Sequence, residues 1–165
     1  EMLEKFPDNV CLDGEITILD NAGIPSKEAY KRAMKLTRSD GEKHGLKMIC
    51  FDAMYIDDWK NQKCEHDYIE RRMLLEGLFK YPPKTGPHIY FEVLPELYRG
   101  SDTAKVLELL DEAIENKEEG VMINICDAPY EFGRTWNLMK VKKMKHQNKE
   151  CLWKQCNYIR STALV

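Results

Sequence analysis

The amino-acid sequence predicts an α+β domain. Strict apolar/polar alternation over residues 9–19, a run apolar on both faces over 46–56, and apolar side chains at helical spacing after Ser101–Asp102 carry that reading. In the first strand Val10, Leu12, Gly14, Ile16 and Ile18 share one face, and Cys11, Asp13, Glu15 and Thr17 the other. "DNAG" (20–23) signals a turn, and Ser26 is placed to cap a helix running to about Thr37 with Ala29, Ala33, Met34 and Leu36 on its apolar side. "LKMICFDAMYI" suits a central strand. Asp67 and Glu70 form a capping box for a helix through Phe79, and "PKTGP" breaks the chain before a strand at 88–94. Val106, Leu109, Leu110, Ala113 and Ile114 mark the next helix, and strands near 119–126 and 136–143 close the domain.

The 165 residues are 43% hydrophobic and 32% charged, enough apolar material for one core. No apolar run approaches the roughly 18 residues of a membrane span, and "EMLEKFPDNV" lacks the basic-then-apolar order of a secretory signal, so an intracellular protein is expected. Six cysteines (11, 50, 64, 126, 151, 156) fall without a CxxC pair and read as reduced thiols. Cys64 with His66 and Cys151 with Cys156 are the zinc candidates, and neither brings a second ligand pair. The net charge of −3 hides a split: residues 134–160 hold eight Lys/Arg and one acid, whereas residues 1–133 hold 17 basic and 27 acidic side chains. A cationic segment of that kind either meets polyphosphate or nucleic acid, or is a solvated face.

Several positions carry chemistry. Asp13 and Glu15, two apart on one strand face, can converge on a divalent cation or a sugar hydroxyl, or form an ordinary solvated face. Lys140 and Lys142 stand about 7 Å apart along a strand, a geometry for a phosphate chain or for a strand edge blunted by charge. Glu119, at the mouth of "GVMINI", is a metal ligand or a polar strand end. Phe51 is core or a stacking surface for a base.

In their order, "FPDNVCLDGEI", "MICFDAMYI", "EEGVMINI" and "WNLMKVKKMK" resemble four consecutive signature motifs of the adenylation domain of ATP-dependent DNA ligases, within the covalent nucleotidyltransferase superfamily. The resemblance runs from residue 1 to about 145, and "LDGEI" favours DNA ligases over RNA ligases and capping enzymes. It implies the nucleotidyltransferase (ATP-grasp-like) fold, with mixed, mostly antiparallel sheets flanked by helices and incomplete at the N-terminus. It implies that Asp13 and Glu15 serve the ribose, the metal and strand joining, that Phe51 stacks on adenine, and that Glu119 holds Mg²⁺ with Glu15 as a second metal ligand. Lys140 and Lys142 would contact the α-phosphate of ATP, and Arg134 matches a basic residue before the last strand. The implied reaction passes AMP from ATP to a lysine, then to the 5′-phosphate of nicked duplex DNA, before the 3′-hydroxyl displaces it, in replication, repair or recombination. The implied protein is a monomer without membrane contact, cytoplasmic in a bacterium or phage-infected cell, or nuclear in a eukaryote.

The chain departs from the family in one respect: no Lys-x-Asp-Gly nucleophile precedes Asp13. "RSDG" (38–41) follows it instead, and its Arg38 stays protonated and cannot attack phosphorus. Residues 146–165 are too few for an oligonucleotide-binding domain and are expected to be its start or its replacement. The expectation is a ligase fragment that forms no covalent AMP adduct alone. The alternatives are an RNA ligase or GTP-using capping enzyme, or a nucleotide-binding relic that has lost its nucleophile.

Overall fold

The computed structural model describes residues 8–80, 90–143 and 163–164. The "PKTGP" break, the start of the strand expected at 88–94, Cys151, Cys156 and most of the tail after 145 lie outside them.

The first sheet is built from β1 (Val10–Ile18), β2 (Leu46–Tyr55) and β4 (Phe91–Val93), in the order β1-β2-β4. β1 and β2 run antiparallel, and β4 adds parallel to β2. The central place of β2 accounts for its two apolar faces. Helix α1 (Ser26–Arg38) rests on β1 through Ala29 and Ala33, packed with Ile18, Ile24 and Leu46. Helix α3 (Tyr68–Phe79) covers β2, with Leu75, Cys50 and Ala53 fully enclosed among Val10, Leu12, Met48 and Phe91. Ile16 falls between these two clusters and is 44% exposed, a departure from the alternation that grouped it with Ile18.

Two expectations for α1 are corrected. The helix begins at Ser26 behind Pro25 with no side-chain cap, and Ser26 Oγ instead donates to the Lys117 carbonyl at 3.2 Å. The packed stripe ends at Ala33, so Leu36, a turn further on, lies at the surface. The Asp67 capping box of α3 forms as expected, with Glu70 N donating to Asp67 Oδ1 at 2.9 Å and Asp67 N to Glu70 Oε2 at 3.1 Å.

A second sheet pairs β3 (Cys64–Asp67) with β7 (Pro129–Tyr130). The third orders β5 (Arg99–Gly100), β9 (Ala163–Leu164), β6 (Val121–Ile125) and β8 (Leu138–Val141) in antiparallel pairs. Helix α4 (Thr103–Glu115), capped by Asp102 Oδ1 on Ala104 N at 2.8 Å, buries Val106, Leu109 and Leu110 against Val121, Ile123 and Val141. Between β2 and β3 lies the short helix α2 (Ile56–Asn61), ended by Gln62 in the left-handed region at φ 52°. Six residues are too few to show a helical period in the sequence.

Leu75 has no exposed surface, whereas Met73 on the same helix is 68% exposed. We expect Leu75→Ala to lower the unfolding free energy by about 3 kcal/mol and Met73→Ala by less than about 0.5 kcal/mol, as read from urea titrations.

Candidate functional site

Asp13 lies opposite Asp52, but the next pair is Gly14 with Cys50, so Phe51 is an extra residue on β2. Such a bulge re-aims side chains and bends the strand. Gly14 is required here, because a Cβ at that position would meet the Ile49 carbonyl oxygen at 2.5 Å and the Met48 methyl at 2.9 Å. The Asp-Gly-Glu spacing thus places two acids on either side of a residue that must be small.

Facing acids repel, and the fold answers with a buried cation. Arg71 donates through Nε to Asp52 Oδ1 at 3.0 Å and through Nη2 to Oδ2 at 3.1 Å. Its Nη1 reaches the carbonyls of His66 at 2.6 Å and Ala128 at 3.3 Å, and its guanidinium lies over the rings of Tyr68 and Tyr130 at 5.5 and 5.4 Å. Burial raises the Asp52 carboxyl above its ordinary range, while the hydrogen bonds and charge of Arg71 pull the other way. Tyr130 in turn donates its hydroxyl to Asp13 Oδ2 at 2.8 Å, and Tyr68 to the Phe51 carbonyl at 3.4 Å. Burial first, and then the bond to Asp13, raise the Tyr130 phenol, so it remains a donor. One arginine therefore ties α3, β2, β3 and the start of β7 into a frame that orients Asp13 and anchors the bulge.

A second corner forms around Glu119. Gly120, at φ 151°, lets the end of β8 pass so closely that a Cβ there would meet the Val141 carbonyl oxygen and lie 3.1 Å from the Lys142 Cα. That approach sets Lys140 against Glu119 as an ion pair. The hydrogen bond from Lys140 holds the Glu119 carboxyl below its ordinary range, with smaller contributions from Lys142 and from Lys27 at the start of α1. The Ser26–Lys117 bond docks α1 onto the same turn.

Among the expected site residues, Asp13 joins the Arg71 frame, whereas Glu119, Lys140 and Lys142 cluster together. Glu15 is exposed, Phe51 is half-buried and Arg134 stands on an exposed loop. Among the described residues no hydrogen bond or ion pair runs from Asp13 or Glu15 to the Glu119 corner. No group of three Asp, Glu, His or Cys among them converges to cage a metal.

Residues 1–142 match the family model described as "ATP dependent DNA ligase domain". The chain belongs to this family. A DNA ligase of Methanoculleus marisnigri is 29% identical over 147 residues, covering 86% of this chain and 24% of that protein. Two solved structures, named Pmar-Lig_Pre and Pmar-Lig_PreS3, superpose with TM-scores of 0.63 and 0.61 at 21% identity, each over 86% of this chain and 32% of theirs. They share the fold, and the chain spans 24% of the ligase and 32% of the first of these structures.

Within the ligase domain, sequence reasoning passed over Asp52, Arg71 and Tyr130. The signal for Arg71 was faint but present: it sits on the stripe Tyr68, Arg71, Arg72, Leu75, where helical spacing places core residues. An arginine on a buried stripe calls for a buried acid.

Two outcomes test this frame. Arg71→Leu strands the Asp52 charge and should cost about 3–5 kcal/mol of stability, much of it recovered in an Asp52→Leu/Arg71→Met double variant; equal losses in both would contradict the pairing. Cys50 is enclosed, and burial, aided by the Asp13 charge, pushes its thiol from 9.0 up to about 11. Between those values the unfolded chain has lost a proton that the folded chain keeps, so stability falls as pH rises from about 9 through 11. Urea midpoints across that range should drop less steeply in Cys50→Ala than in the parent.

Proposed function

We propose that this chain forms the nucleotide-handling part of an ATP-dependent DNA ligase that seals nicks through enzyme-AMP and DNA-adenylate intermediates. The observation that carries the reading is the Glu119–Lys140 pair with Lys142 acting on the same carboxylate, which brings together two segments that both lie within the matched ligase span. Exposed ammonium groups on a strand end can neutralise the α-phosphate and the departing pyrophosphate, an electrostatic contribution that needs no proton transfer. Asp13, held by Tyr130, and Glu15 present acids towards a ribose and the joining step, and Phe51 at the bulge offers a ring for adenine.

Magnesium fits the donor set. Mg²⁺ keeps several waters and substrate phosphate oxygens and needs only one or two protein carboxylates, so the exposed Glu119 and Glu15 suffice without a protein cage. When bound, the metal polarises phosphoryl oxygen and spreads the charge that develops there. Arg134 is assigned to nucleotide contact on the same reading. Residues 1–145 carry the adenylation motifs, and Ala163–Leu164 complete the sheet that holds β6 and β8. Nicked duplex DNA is the substrate, met by a monomer. No helix among the described residues is long and apolar enough to cross a membrane.

The family reaction needs a Lys-x-Asp-Gly lysine, so its test uses a polypeptide that carries one ahead of these residues. In such a polypeptide, incubated with ATP radiolabelled at its α-phosphate, Lys140→Ala and Glu119→Ala should each slow enzyme-AMP formation by about 10²- to 10³-fold, the loss expected for one charge-stabilising group. Rates near the parent's in both variants would overturn the assignment, and preferential labelling by GTP would shift it to a capping enzyme.

A further inference from the structure

Helix α1 carries Lys27, Lys31, Lys35 and Arg38 at spacings of four, four and three, which places all four on one helical face. Its other arginine, Arg32, lies off this row and is paired with Glu28 at 3.0 Å. Lys31, Lys35 and Arg38 are exposed and, among the described residues, have no ion pair. Together with Tyr30, Met34 and Ser39 they line an open surface cavity, and Tyr30 is 51% exposed beside them. The head of the stripe adjoins the candidate site, because Ser26, next to Lys27, donates to the carbonyl of Lys117, two residues before Glu119. Unpaired cations in a row stand out in a stretch, residues 1–133, that holds 27 acids against 17 bases.

We propose that this face of α1 is a track for the phosphate backbone of duplex DNA leading away from the Glu119–Lys140 corner. The proposal takes its substrate from the reading above and adds a surface outside the four motifs. A rise of 1.5 Å per residue makes the row from Lys27 to Arg38 about 16 Å long, matching four to five phosphates of one strand at about 3.4 Å of duplex axis each. Lysine and arginine heads contact phosphate oxygens without reading bases, which suits an activity that must act at nicks of any sequence. The exposed ring of Tyr30 and the thioether of Met34 supply an apolar floor for sugar edges between the charges.

The test is binding of the 165-residue chain to fluorescein-labelled nicked duplex DNA, followed by anisotropy from 50 to 300 mM KCl, with ATP binding measured in parallel by equilibrium dialysis. The variant Lys31→Gln/Lys35→Gln/Arg38→Gln removes the stripe from solvent-exposed positions. A control, Lys60→Gln/Lys63→Gln/Lys105→Gln, removes the same charge elsewhere. The stripe variant should bind DNA about tenfold or more weakly at 150 mM KCl. Its slope of log affinity against log salt should fall by about 2 to 3, at roughly 0.9 for each phosphate that is no longer neutralised. ATP binding should be unchanged, and the control should behave as the parent. A stripe variant matching the parent in affinity and slope, a control as weak as the stripe variant, or a parent that fails to bind nicked DNA at 50 mM KCl would each overturn the proposal. Failure of the parent chain to bind ATP, with DNA still held by the stripe, would instead sink the nucleotide reading and leave the track standing.

Discussion

The structure around the candidate site depends on one buried ion pair, Arg71 with Asp52. Burying a carboxylate is tolerable only when its charge and lone pairs are matched. Arg71 supplies two parallel hydrogen bonds, a geometry that a lysine cannot reproduce. The remaining donors of the guanidinium close on backbone carbonyls of β3 and of the segment before β7, and its flat faces pack on two tyrosines. Local structure, packing and function meet in that side chain: it allows two acids to face each other across β1 and β2, and it fixes the tyrosine that holds Asp13. Without it, the Asp-Gly-Glu strand would bring together charges that nothing reconciles.

A second constraint, steric rather than electrostatic, acts at both corners. Gly14 and Gly120 are both positions where a side chain would strike a neighbouring backbone, at the Ile49 carbonyl oxygen in one case and at the Val141 carbonyl oxygen in the other. Each adjoins or immediately follows an acid of a family motif. The glycine lets a strand approach, and the approach sets the acid beside its partner: Asp13 opposite Asp52, and Glu119 against Lys140. The motifs are thus conditions on backbone distance as much as collections of reactive groups. On the proposed reading, ATP would enter between Glu119 and Lys140 and exchange their mutual ion pair for contacts to metal and phosphate.

What was legible in the sequence follows the range of the forces involved. Helices α3 and α4 were readable because their caps and apolar periods lie within a dozen residues, and β2 because a central strand is apolar throughout. Helix α2 and the two-residue strands β5, β7 and β9 were not, since segments that short carry no period and form only when a distant partner offers hydrogen bonds. Ser26 read as a cap from local chemistry, yet its hydroxyl found a carbonyl 91 residues away. The ordered motifs pointed to Asp13, Glu119, Lys140 and Lys142 as candidates, whereas Asp52, Arg71 and Tyr130 owe their positions to contacts spanning 19 to 117 residues. Long-range pairing of this kind leaves in the sequence only an arginine where a leucine was due.

The central claim is that the Asp13 frame and the Glu119 corner bound a single nucleotide. A crystal structure of the chain with a non-hydrolysable ATP analogue and Mg²⁺ tests it most directly. The account predicts the adenine against Phe51, an α-phosphate oxygen within about 3 Å of Lys140 Nζ, and the Lys140–Glu119 pair opened. A nucleotide seated elsewhere on the chain, or one touching only one of the two corners, would contradict it.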